Sequence, residues 1–372
     1  MNRHFGLSLA LGAWLAGSAT AADPGTLARD LQAVVAQYLA ENPLAPGVVA
    51  HVEAPGVDLV WTGAAGAEAH GSTVPLTPDH TFRIASNTKT YVAAAVLRLA
   101  EQGRLSLDDL LGRYLSADQR ALLAGDRYDL DAITLRHVLS HTAGLGDHTA
   151  DPRFAEAILA DPQHEWTPAE DLRLCVEWQD PVGAPGERFV YSDTGYVLLG
   201  GVVERVAGRG LGPAVRELLD FASLDLDATW WEVAETPPRA AGPRAHQYFG
   251  ELDTTDWNPS LDLYGGGGLV SDARDLAVFM RALLGGRVLR EASSLAAMTG
   301  GGTATYRLGL MCVDLDGHLA WGHQGFWNTF AFHVPALDVT VAGSILNHDA
   351  QNGRELARRL VAVLAAALPG RS

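Results

Sequence analysis

The stretch RIASNTKTYVAAAV, residues 83–96, carries Lys89, the only lysine in the chain; every other residue among the 27 counted as Lys plus Arg is arginine. A solvating charge is served equally well by either residue. A group that must exchange a proton is not, because arginine stays protonated in proteins whereas a desolvated lysine can titrate. Ser86 lies three residues earlier. On a helix starting near Ser86, positions i and i+3 lie about 60° apart on one face, so hydroxyl and amine can meet. The positive end of that helix favours a serine alkoxide. That is the arrangement a Ser–Lys nucleophile pair requires; the plainer alternative is a capping serine beside a chance lysine.

The chain has 372 residues, 48% of them hydrophobic, enough for one large core or two moderate ones. Its formal charge of −17 argues against nucleic acid or an anionic membrane surface as a partner. The start reads as an export signal over residues 1–21: Arg3, an apolar run from Phe5 to Ala16, then Ala19-Thr20-Ala21 as a cleavage site. The expected location is periplasmic or secreted, with no membrane anchor, since no 18-residue apolar span follows. Cys175 and Cys312 are expected as two buried free thiols, a disulfide being the alternative. No C-x-x-C or H-E-x-x-H pattern occurs, so no metal site is expected.

Period-two stretches near both ends read as strands: GVVAHVE and DLVWTGA early, then YRLGLMCVDL, HLAWGH, TFAFHV and LDVTVAGSIL. A helix precedes the first pair and another begins near Gly353. Helical patterns dominate between. The expected fold is α/β: an antiparallel sheet flanked by helices, formed by residues 22–90 and 262–372, with a mainly helical domain, 91–261, inserted. A cleft would lie between the two.

Two further stretches could carry chemistry. In GERFVYSDTGYVLLGGVVERVAG, residues 186–208, Tyr191 could shuttle protons beside a lysine. Its plainer reading packs Tyr191 on the core and makes Asp193 a helix cap. In LAWGHQGFWNTF, residues 319–330, His323 and Gly325 sit on a strand edge where a substrate backbone could pair. A structural histidine is the alternative there.

In order, SNTK, YSD and HQG resemble the S-x-x-K, Y-x-N and K-T-G or H-x-G motifs of the serine hydrolases that include class C β-lactamases, D-alanyl-D-alanine carboxypeptidases, D-aminopeptidases and certain esterases. ITLRHVLSHTAGLGD (133–147) and GGGGLVSDARDLAVF (265–279) look like that family's supporting motifs, so the resemblance runs from about Val48 to Asn347. It implies a β-lactamase/transpeptidase-like fold, a small-molecule or peptide substrate and no metal or organic cofactor. By the same resemblance Ser86 is the acylated nucleophile, Lys89 accepts its proton or orients it, and Tyr191 relays the proton to the leaving group. His323 and Gly325 line the substrate strand, and the backbone N–H groups of Ser86 and Phe326 form the oxyanion hole. His141 is expected to stabilise a turn.

The sequence departs from that pattern at Asp193, in place of asparagine, and at His323 and Gln324, in place of lysine and threonine. An ionised Asp193 near Lys89 would hold it protonated, shift base chemistry towards Tyr191, repel a substrate carboxylate and welcome an ammonium. These changes speak against efficient β-lactam hydrolysis and for esters or D-amino-acid peptides and amides. A catalytically weak binding module for peptidoglycan fragments or β-lactams is the alternative. An α/β-hydrolase would need a G-x-S-x-G elbow, which is absent. The loops 148–170 and 226–262 stay unplaced.

Overall fold

The computed structural model describes residues 23–368. The leader expected at 1–21 lies outside the described residues. In chain order the helices are α1 (Pro24–Glu41), α2 (Thr88–Glu101), α3 (Ala117–Gly125), α4 (Leu135–Leu139), α5 (Pro152–Ala160), α6 (Pro168–Trp178), α7 (Asp193–Ala207), α8 (Leu211–Leu218), α9 (Ala273–Leu284), α10 (Ala292–Gly300) and α11 (Gly353–Ala367). The strands are β1 (Gly47–Ala54), β2 (Leu59–Gly66), β3 (Phe82–Arg83), β4 (Trp230–Trp231), β5 (Tyr248–Phe249), β6 (Leu252–Asp253), β7 (Leu269–Ser271), β8 (Met311–Leu315), β9 (His318–Gly325), β10 (Thr329–Val334) and β11 (Val339–Ile345).

Six strands form one antiparallel sheet in the order β2-β1-β11-β10-β9-β8, so its centre joins an early strand to the last one. Side chains alternate between two faces of a strand, and here both faces are covered. Val48, Ala50 and Val52 of β1 pack with Leu31 and Val35 of α1 and Leu356 and Leu360 of α11. Val49, on the opposite face, belongs with α9, α2 and α7 to a second core. That is why β10 and β11 are buried along their whole length.

Helix α2 is inserted in that second core, with residues 88–97 buried on every side. It is entered not by a regular first turn but through a 3-10 turn, Ala85–Asn87, with Ala85 at φ 47°. A non-glycine residue there is strained by about 1–3 kcal/mol and persists only where the surroundings enforce it. The surroundings are β3, which delivers the turn, and the end of β9 packed against it. A small sheet, β3-β7-β4, also fixes the glycine run 265–268 beside α2, since β7 follows that run directly.

Two local expectations need correcting, and one unplaced loop is now located. YRLGLMCVDL is a strand only from Met311, because Gly309 turns the chain at φ 75° and its carbonyl is held by Thr90 on α2 at 2.8 Å. The unplaced 226–262 segment holds short strands, turns and a 3-10 turn, Pro259–Asp262. Both cysteines are free, but only Cys175 is buried; Cys312 lies on the edge strand β8, where one side is open.

Gly325 ends β9 at the closest approach of sheet and 3-10 turn: a Cβ there would meet Thr329 Oγ1 at 2.2 Å and the Ile84 carbonyl at 2.3 Å. Gly325→Ala is expected to lower stability by about 1–3 kcal/mol, read from the urea midpoint at unchanged slope. Gly201→Ala, where a Cβ meets nothing within 4 Å on α7, is expected to gain about 0.5–1 kcal/mol. Equal midpoints for the two variants would contradict this packing.

Candidate active site

Lys89 has no exposed surface. An ammonium carries three donors and no acceptor, and all three are used. It donates to Ser86 Oγ at 2.8 Å, to the Gly266 carbonyl at 2.6 Å, and to Asp193 Oδ1 in a tight ion pair. These acceptors come from the 3-10 turn, the glycine run and the start of α7. Burial works against the charged form, but the Asp193 carboxylate, seconded by Tyr191, outweighs it and holds Lys89 above the ordinary lysine value. For Asp193, burial pushes upward and the Lys89 charge and hydrogen bond win, leaving it below the usual carboxylate range.

The second carboxylate oxygen of Asp193 accepts from Thr149 Oγ1 at 3.1 Å, and the same hydroxyl lies 3.0 Å from Asp147 Oδ2. Asp147 also accepts the Asp193 backbone N–H at 3.1 Å. Burial and the nearby Asp193 charge push Asp147 up to about 7. The cap of α7 is Ser192, whose hydroxyl accepts from Gly195 N–H, so Asp193 is left free to face the lysine.

Tyr191 stands over this cluster, with the ammonium 5.0 Å from its ring centroid. Burial raises its phenol strongly, while the Lys89 charge pulls the other way. His141 backs it with a ring 4.2 Å distant and accepts the Ser192 N–H at 3.1 Å through Nδ1. Burial and the Lys89 charge keep His141 neutral. Its φ of 55° places it at a turn, as the sequence reading expected.

His323 is brought near Tyr191 but not to the cavity. It is fully buried, with Nδ1 2.7 Å from the Gln324 carbonyl and Nε2 3.0 Å from the Tyr306 hydroxyl. Burial and the Lys89 charge depress its pKa to about 3. Because β8 flanks β9 and Tyr306 covers the ring, His323 supports the wall from behind rather than lining the substrate strand. Gly325 does lie against the 3-10 turn, and its neighbour Phe326 lines the cavity together with Ser86. The Ser86 N–H, in the first turn, belongs to the class of helix donors without an intrahelical acceptor.

Ser86 opens into a cavity of about 180 Å³. Phe154, Ile158 and Leu159 of α5 form one wall; Phe249, Trp257, Phe326 and Trp327 form the other. These residues come largely from the two loops that sequence reasoning could not place. Among the described residues its charged lining side chains are Asp193 and Asp262. Sequence reasoning missed Thr149, Asp147, Asp262 and the Gly266 carbonyl. Asp147 closes a stretch already notable for its pattern, and Gly266 lies in the glycine run, but a backbone acceptor has no residue-type signature.

A family model described as Beta-lactamase matches residues 31–367. Esterase EstB of Burkholderia gladioli is 34% identical over 203 residues, 53% of this chain and 50% of that one. The chain spans about half the length of the curated relatives it matches. A D-stereospecific amidohydrolase from Streptomyces sp. superposes with TM-score 0.75 at 31% identity, over 89% of this chain and 97% of that one. D-amino acid amidase from Ochrobactrum anthropi SV3 shares the fold, with TM-score 0.78 at 23% identity over 92% and 99%.

Asp193 has a lowered pKa, so its stabilising contribution is complete above the ordinary carboxylate value of 3.8 and is lost as pH falls through the lower folded value. Lys89 has a raised one, so its contribution is complete below 10.5 and is lost only above that. Asp193→Asn is expected to cost about 1.5–3 kcal/mol near pH 5, vanishing in acid and shrinking above about pH 7, because removing the Asp193 charge also eases the ionisation of Asp147. Urea unfolding at several pH values reads this directly. A cost that does not fall in acid would contradict the ion pair.

Proposed function

The chain belongs to the beta-lactamase family, and on that premise we propose that it is a serine hydrolase forming an acyl-enzyme at Ser86. The observation that carries the reading is the Ser86 hydroxyl held by a buried, fully coordinated ammonium at the floor of an apolar cavity. As a charged donor, Lys89 cannot accept the Ser86 proton; it stabilises negative charge as that charge builds on Oγ. Tyr191, held as a neutral phenol, serves as a relay rather than a free base. It takes the Ser86 proton while passing its own to the leaving group, so Oγ–C forms, the scissile bond breaks and no proton is stranded. Water then enters along the same relay to release the acid. The N–H groups of Ser86 and Phe326 would receive the developing oxyanion.

The cavity's chemistry supports esters or amides that lack a carboxylate near the reacting carbon. Its charged lining groups are both acidic, and Gln324 is turned to Asn352. At about 180 Å³ it suits one amino-acid-sized group, below the ~300–1,000 Å³ typical of larger ligand sites. D-amino-acid amides and peptides fit these limits, and so do small esters. The leader-like first 21 residues support export to the periplasm or beyond.

Intact-mass spectrometry with a fluorophosphonate tests the reading. The mature protein, expected to begin after Ala21, should gain one phosphonyl group, and Ser86→Ala none. A penicillin is expected to leave no lasting adduct. Tyr191→Phe should label about 10²–10⁴-fold more slowly. Equal labelling of Ser86→Ala would overturn the assignment, and no labelling of the intact protein would favour a binding module.

A further inference from the structure

One cavity group has no part in the machinery above. Asp262 lines the same cavity as Ser86, yet among the described residues nothing donates a hydrogen bond to its carboxylate. Its position is set by packing: a Cβ on Gly267 would meet Asp262 Oδ1 at 2.2 Å and Cγ at 2.3 Å, so the carboxylate rests on bare backbone. The two nearest cations are already spent. Lys89 uses its three donors on Ser86, Asp193 and Gly266. Arg83 is committed to Glu232 at 2.7 Å and to the carbonyls of Thr254 and Trp257 at 2.9 and 2.8 Å.

Asp262 is only half-buried, but a carboxylate facing apolar walls without a protein partner is still costly. The cost is offset if a ligand brings the missing donors. An ammonium on an organic ligand supplies such donors. The apolar walls ask for a hydrophobic group on that same ligand.

We propose that Asp262 is the specificity-determining carboxylate of this cavity and receives a primary ammonium carried by the substrate beside an apolar side chain. This rests on the hydrolase reading and narrows it: substrates with a free amine next to the reacting carbonyl are preferred over their N-acylated forms. Burial, opposed by the Lys89 charge, brings Asp262 to about 7, so an arriving ammonium completes its ionisation at neutral pH. Asp193, the other acidic lining group, is already neutralised by Lys89 and adds no second ammonium site.

The test compares kcat/KM for the methyl esters of D-phenylalanine and N-acetyl-D-phenylalanine, in the intact protein and in Asp262→Asn. The intact protein should favour the free amine at least tenfold, and Asp262→Asn should shrink that ratio at least tenfold. A ratio near one in the intact protein, or unchanged in the variant, would overturn the proposal. Should the variant fail to fold, inhibition of p-nitrophenyl butyrate hydrolysis by the intact protein decides. Phenethylammonium should then bind at least tenfold tighter than 3-phenylpropionate, and equal or reversed affinities would overturn it. Turnover of p-nitrophenyl butyrate, lost in Ser86→Ala, separates the two readings: its presence without amine preference defeats the role of Asp262 alone, and its absence defeats the hydrolase.

Discussion

An ammonium ion sealed from water must find its acceptors inside the protein, and Lys89 draws them from three separated parts of the chain. Losing any one would leave a buried donor unmatched, at a cost of about 1–3 kcal/mol or more for a charged group. The geometry of the site follows from that demand. The 3-10 turn must hold Ser86 within reach, α7 must begin at Asp193 with its cap supplied by Ser192, and the glycine run must turn a carbonyl inward. The strained backbone at Ala85 belongs to the same constraint, since it aims the turn that carries Ser86.

The ion pair also decides what kind of chemistry the site can run. A protonated lysine is a fixed charge rather than a base, so the proposed mechanism leaves proton movement to the Tyr191 relay and charge stabilisation to Lys89. The surrounding acids are graded by their partners. Asp193, paired, is held low; Asp147, sharing a hydroxyl, and Asp262, with no donor, are both pushed up to about 7. A single cationic centre among several carboxylates makes the cavity hospitable to neutral or cationic ligands. It also distinguishes this site from one that must hold a substrate carboxylate.

Much of this was legible in the sequence because it depends on local spacing. Ser86 and Lys89 are one helical turn apart, the strand pairs alternate with period two, and α11 begins at Gly353 as its pattern suggests. The Asp193–Lys89 pair was legible from chemistry, since a lone lysine and an out-of-pattern carboxylate invite each other. What escaped depends on contacts between distant residues. Nothing about Ala85 signals a positive φ, as glycine would. His323 lies on a strand that reads as an edge, but its burial depends on β8 and on Tyr306 arriving from elsewhere. The cavity walls were hidden because loops 148–170 and 226–262 are positioned by side chains such as Arg83, whose partners lie about 150 residues or more away.

Because Lys89 is the only lysine, growth on 13Cε-lysine gives one NMR signal and no assignment problem. The chemical shift of that carbon reports the charge of the amine directly. The account predicts a signal at the charged position that does not move from pH 6 to pH 10, and one that titrates at lower pH in Asp193→Asn than in the intact protein. A titration of the intact protein with a midpoint below about 9, more than a unit under the ordinary lysine value, would contradict it. Lys89 would then be a base in its own right, and the relay through a neutral Tyr191 would be unnecessary.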